Sequence, residues 1–366
     1  MPSGGARYLV TLAIVASLKA LGALWVHSEL SRGERGFWTP WMAAWGAEGP
    51  SAPWLYLFSA WDTGWYVKMA RTLALYPDRP FFPAYPWLIR ALSGILGDYW
   101  LSACAISFVL GMACAPVYQA LAERYMAKEE AFGSALLFAL FPFTFLFTAI
   151  SYAEPLFLLA TLASWHLNLS GRFSLSLALA SLAALSRPLG ILAFLPIALD
   201  AAASRRWRGF LMAASLPLAP ILALSAMGLG SLPWRLGYAV EPTPLHEAGI
   251  YWFRDFILPI LYGAPTPIFR HALLSFVLAS VCLFGALAIL TFRLDWRLGA
   301  YALAMFLAAL AYGMVNGLLR YFSFIFPIWL NFRPKGLAPA LPIGALFYAS
   351  ALLLWLQFIR FPAPVG

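Results

Sequence analysis

PAYPWLIRALSGILG, Pro83–Gly97, is the stretch on which the fold turns. It is an apolar run of 15 residues that starts at Pro83, carries a second proline at Pro86 and is interrupted by Arg90. A helix that crosses a bilayer needs about 20 apolar residues, so this length fits a helix lying in the interface better than a crossing. The choice propagates along the chain, because one crossing more or fewer moves every later loop to the other side.

The rest of the chain is built for lipid. Of its 366 residues 63% are hydrophobic and 11% charged, with a mean hydropathy of +0.79. A soluble domain carries about a quarter of its residues charged. Apolar runs recur from end to end, and alternating strands of about ten residues are absent, which predicts a polytopic helical membrane protein rather than a barrel. The first run, residues 8–26, exceeds a signal-peptide core and precedes no small-x-small site, so it is read as a retained span. The net charge of +9 comes from basic residues scattered over short loops and span ends, which fits a membrane surface better than nucleic acid. Cys104, Cys114 and Cys282 lie in apolar segments without paired spacing, and the four histidines are dispersed, so neither a disulfide framework nor a metal site is expected. There is no P-loop, dinucleotide fingerprint or H-E-x-x-H.

Clear spans fall at 8–26, 99–122, 131–150, 209–229, 270–292, 297–316 and 337–359, with shorter pieces at 155–170, 173–186, 188–200 and 318–332. Short loops rich in lysine and arginine face the cytoplasm. With the N-terminus inside and 83–97 interfacial, four such loops (123–130, 205–208, 293–297 and 333–335) all land on the inner face. Residues 27–98 then form a large first external loop with interfacial helices, and 230–269 a second. The expectation is one all-α membrane domain over 1–366, a bundle of about 11 spans, some short or broken.

In this arrangement Asp62, Glu154, Arg187 and Arg320 meet at the outer leaflet. Asp62 lies in Trp61-Asp62-Thr63-Gly64-Trp65-Tyr66 and Glu154 in Ser151-Tyr152-Ala153-Glu154-Pro155. Singly, the aspartate could cap a helix, the glutamate end a turn and each arginine snorkel to lipid phosphate. Clustered at membrane depth, ionisable groups are costly, and the default reading is functional. Ser186-Arg187-Pro188 interrupts an apolar stretch, and proline suits a first helical turn. A helix starting at Pro188 would aim free N–H groups outward beside Arg187, an arrangement suited to phosphate. The many aromatic residues around Asp62 are mostly an interfacial belt.

These segments, together with Phe81-Phe82-Pro83-Ala84-Tyr85-Pro86 and Ser186-Arg187-Pro188-Leu189-Gly190, resemble the PIG-V-like mannosyltransferases over about residues 55–195. Arg320-Tyr321 is a weaker point of likeness. The resemblance implies a prokaryotic-type relative of that family with a GT-C fold, using a dolichyl- or polyprenyl-phosphate sugar, with mannose as the first candidate. It implies Asp62 as catalytic base in the first external loop, Glu154 as an orienting or shared catalytic group, and Arg187 and Arg320 at the donor phosphate. Trp61, Tyr66, Arg79 and Tyr85 complete the expected substrate-binding set. No cofactor is expected, and the partners are the prenyl-phosphate donor, a lipid-linked or glycan acceptor and membrane lipid. Two other readings explain part of the pattern. A flippase for lipid-linked sugars accounts for spans and arginines but predicts an internal repeat, which the sequence lacks. A non-catalytic scaffold accounts for the aromatic loops and leaves the charged cluster unused.

Overall fold

The computed structural model describes residues 4–31, 49–50, 52–59, 62–73, 81–219, 222, 268–311, 318–335 and 337–360. Trp61, Arg79 and nearly all of the second external loop lie outside the described residues. Every regular element described is helical. In chain order the α-helices are α1 Gly4–Ser31, α2 Thr63–Thr72, α3 Ala84–Leu96, α4 Tyr99–Ala122, α5 Lys128–Leu140, α6 Pro142–Phe147 and α7 Glu154–Leu169. There follow α8 Phe173–Ser186, α9 Phe194–Ala203, α10 Trp207–Ser215, α11 Ile268–Leu290, α12 Trp296–Ala311, α13 Leu318–Ser323 and α14 Leu337–Arg360. Tight 3₁₀ turns occupy Pro53–Phe58, Pro188–Ala193, Thr291–Arg293 and Phe326–Asn331. Among the described residues, four helices are long and apolar enough to cross a membrane by length and composition, those at Gly5–Ser31, Tyr99–Ala122, Phe276–Arg293 and Leu337–Ile359.

The stretch at 83–97 forms α3, which is 13 residues long and stops at Gly97 in the left-handed region, φ +72°. Asp98 then caps α4, its side chain accepting from the Leu101 amide at 2.8 Å. One face of α3 is buried through Tyr85 and Ile89, while Trp87, Leu88, Ile95 and Leu96 are exposed. It is a short amphipathic helix of about 20 Å that leaves these apolar side chains exposed.

Three expected spans are not single α-helices. Residues 131–150 break at Phe141, which is extended (φ −54°, ψ 131°) before Pro142. Proline lacks the N–H and disfavours helical geometry in the residue ahead of it. The chain then makes α6 and a buried turn through Ser151 to Ala153. Residues 188–200 begin as a 3₁₀ turn, with the Gly190 amide donating to Arg187 O at 2.9 Å, and become α-helical only at Phe194. Residues 318–332 divide into α13 and the 3₁₀ turn starting at Phe326, with Pro327 in its first positions. All three interruptions sit inside the bundle, where neighbouring groups satisfy the freed backbone. The Ser134 hydroxyl, for example, donates to Trp329 O at 3.0 Å, and the Tyr118 ring stacks on Phe138 at 4.6 Å beside it.

Polar contacts collect the basic loops at one end. Arg7 pairs with Glu123 at 3.1 Å. Arg124 donates to Ser170 Oγ at 3.0 Å. Arg297 grips Asp295 through Nε and Nη2, at 2.9 and 2.7 Å, and also pairs with Asp200. Asp200 further accepts from Asn168 and Arg206, at 2.9 and 2.6 Å. Tyr125 joins Asp295 to Trp165. Burial alone would raise the Asp295 carboxyl, but the hydrogen bonds from Arg297 outweigh it and hold the pKa below the ordinary value. The basic loops at 123–130, 205–208 and 293–297 thus meet physically, with Ser170 beside them.

Candidate active site

The opposite end of α7 carries Glu154, at its first turn and fully buried. Its Oε1 accepts from Arg320 Nε and forms ion pairs with Arg320 and Arg187. Its Oε2 is buried with no hydrogen-bond partner, and Arg187 Nη1 meets the carboxylate without the alignment of a hydrogen bond. Both guanidiniums lie against rings. Arg320 stands 4.3 Å from the centre of Phe147 and 5.0 Å from that of Tyr152. Arg187 stands 5.3 Å from Tyr321. Such cation–π contacts strengthen when desolvated. Two guanidiniums thus share one carboxylate oxygen.

Arg187 is held in place by the turn that follows it. A Cβ on Gly190 would lie 1.9 Å from the Ala183 carbonyl oxygen. Only glycine lets the 3₁₀ turn settle on the last turn of α8, and that contact sets the extended backbone of Arg187 (φ −154°, ψ 153°). Gly190→Ala is therefore expected to destabilise the protein by about 1–3 kcal/mol through overpacking, lowering the thermal unfolding midpoint in detergent and displacing Arg187.

Asp62 reaches the same place from the first loop. Its amide donates to the Tyr152 hydroxyl at 3.1 Å, and Thr63 Oγ1 donates to Ser151 O at 3.1 Å. Ser151 in turn donates its amide to Phe58 O at 2.7 Å. Asp62 occupies the position before α2, yet its side chain makes no capping hydrogen bond. Its charge is felt at Tyr66, Tyr152 and Arg320. Asp62, Glu154, Arg187 and Arg320 are thus brought together, and of the predicted aromatic residues Tyr66 joins them, edge-on to Tyr152 at 6.2 Å. Tyr85 lies one layer behind: it packs edge-on to Tyr66 at 5.0 Å, and its hydroxyl donates to Ala103 O at 2.9 Å and meets Ser107 Oγ at 2.6 Å. Those contacts are those of a packing residue.

Sequence reasoning passed over Lys19, which is fully buried in the middle of α1 and reaches the turn beneath the site. The signal was present, a lone ionisable residue within a long apolar run. Among the described residues no group of histidine, cysteine and acidic side chains has the makings of a metal site.

No protein-family model matches the chain, and no curated protein matches it. Among solved structures, the Archaeoglobus fulgidus oligosaccharyltransferase in complex with zinc and sulfate is similar at 15% identity, with a TM-score of 0.48, over 97% of this chain and 54% of that one. The chain spans about half the length of that protein.

Proposed function

We propose that the protein is a GT-C-type glycosyltransferase that moves a hexose, with mannose the first donor to test, from a polyprenyl or dolichyl phosphate to a lipid-linked or glycan acceptor on the extracytoplasmic face. The observation that carries this reading is the convergence of Asp62, anchored through its amide to the Tyr152 hydroxyl, with Glu154, Arg187 and Arg320 in one cluster. Asp62 takes the proton of an acceptor hydroxyl as that oxygen attacks the anomeric carbon. The bond from that carbon to the phosphate oxygen breaks with inversion, and the leaving phosphate keeps its negative charge. Arg187, which enters the charged cluster from the break before Pro188, is assigned to that phosphate. Glu154 is assigned to holding the two guanidiniums, both of which meet its Oε1. The basic loops gathered at the other end support assigning that end to the cytoplasm under the positive-inside rule.

The test supplies membranes containing the protein with radiolabelled mannose on polyprenyl phosphate or, separately, on a nucleotide. Transfer of label into membrane lipid or glycan from the prenyl donor and not from the nucleotide is the expected result. Label that crosses the bilayer while still on its prenyl phosphate would establish a flippase instead.

A further inference from the structure

We propose that Lys19 is a positioning residue for this site, clamping from α1 the turn that carries Tyr152 and Glu154. The proposal rests on the reading of the site as catalytic. Lys19 is 0% exposed. Its Nζ donates to Thr148 Oγ1 at 2.7 Å and to Phe145 O at 3.3 Å, and lies 5.2 Å from the centre of the Phe145 ring. Among the described residues it pairs with no carboxylate. Thr148 Oγ1 passes the interaction on, donating to Thr144 O at 2.6 Å. The amine therefore serves Phe145 O in the last turn of α6 directly and Thr148 just beyond it.

The same residue is gripped from a second helix. A Cβ on Gly111 of α4 would lie 1.9 Å from Thr148 O, so α4 approaches this backbone as closely as a glycine permits. Beyond Thr148 the chain turns at once into the site. Ser107 Oγ donates to Tyr152 O at 2.9 Å, the Tyr152 hydroxyl receives the Asp62 amide, and Glu154 binds the arginines. Thr148 is thus held from two helices at the near end of a short segment whose far end contacts Asp62 through Tyr152 and both arginines through Glu154. Burying an amine in a span without an acid is costly. An apolar side chain of equal length would pack the same space, so packing alone does not call for a lysine.

The experiment compares wild type, Lys19→Met and Lys19→Gln as full-length protein in lipid nanodiscs. Three quantities are measured: thermal unfolding, amide hydrogen exchange over residues 148–154, and steady-state transfer from polyprenyl-phosphate mannose. Misplacement by about 1 Å costs up to about 100-fold in rate. Lys19→Met is expected to keep or raise the unfolding midpoint, to speed exchange over 148–154 and to lower kcat by about tenfold or more with KM unchanged. Lys19→Gln, which retains a donor, is expected to recover part of both effects, and it carries the same readouts should Lys19→Met not fold. Unchanged exchange over 148–154, or unchanged kcat, overturns the proposal. A wild type that transfers nothing from the prenyl donor sinks the functional reading instead, and the exchange rates still decide whether Lys19 clamps the turn.

Discussion

Asp62→Asn is expected to abolish most transfer while leaving the protein folded. Asparagine has the shape of aspartate and favours the position before a helix equally well. The backbone anchor to the Tyr152 hydroxyl at 3.1 Å uses the amide and survives the change. What disappears is the capacity to accept a proton. A general base contributes typically about 10²–10⁴-fold, so kcat is expected to fall by that factor with KM nearly unchanged. Asp62→Glu retains the base but moves it outward by one methylene; it is expected to fall between wild type and Asp62→Asn. Steady-state transfer kinetics, alongside unfolding midpoints for each variant, checks the ordering. Full activity in Asp62→Asn would remove Asp62 from the mechanism and leave the arginine pair as a binding site only.

The elements that could be read in advance are those set by local rules. The span at 99–122 is found with those bounds, because an aspartate cap and a long apolar run specify it without reference to neighbours. The short length of 83–97 was equally local, and α3 ends at the glycine its sequence offers. What escaped was determined by tertiary packing. Hydropathy reads 131–150 as one run because Pro142 is apolar; only the backbone chemistry of proline, and a bundle able to satisfy the freed groups, divides it. Likewise Pro188 marks an initiation site, but the tight seat of Gly190 on Ala183 O turns those residues into a 3₁₀ turn. No α-helix N-terminus forms there, and under the proposed function the phosphate falls to the Arg187 side chain alone. That Asp62, Glu154, Arg187 and Arg320 converge followed from orientation and charge counting. That both arginines share a single oxygen of Glu154 did not, since no sequence spacing encodes a contact across 166 residues.

The asymmetry of that contact sets the second large effect. Glu154→Ala is expected to destabilise the fold by about 3–5 kcal/mol, the range for breaking a buried ion pair from one side. It leaves two buried guanidiniums facing each other with no carboxylate between them. Arg187→Ala is expected to cost less, because Glu154 and Arg320 remain as a neutral pair with Arg320 still against Phe147 and Tyr152. Activity is expected to run in a different order. Arg187→Ala removes the group that the proposed function assigns to the phosphate and is expected to lower transfer strongly in a folded protein, whereas Glu154→Ala is expected to lose transfer together with stability. The double change Glu154→Gln with Arg320→Met separates the two roles. It removes the carboxylate and one guanidinium together, so no net charge is stranded beyond Arg187, and replacing a buried pair by neutral groups is often tolerated. Its unfolding midpoint in detergent should lie well above that of Glu154→Ala, while transfer stays low because Arg187 has lost the carboxylate that orients it. If the double variant is as unstable as Glu154→Ala, charge compensation is not what holds this end of the bundle together, and the ring contacts of Arg320 must carry the stability instead.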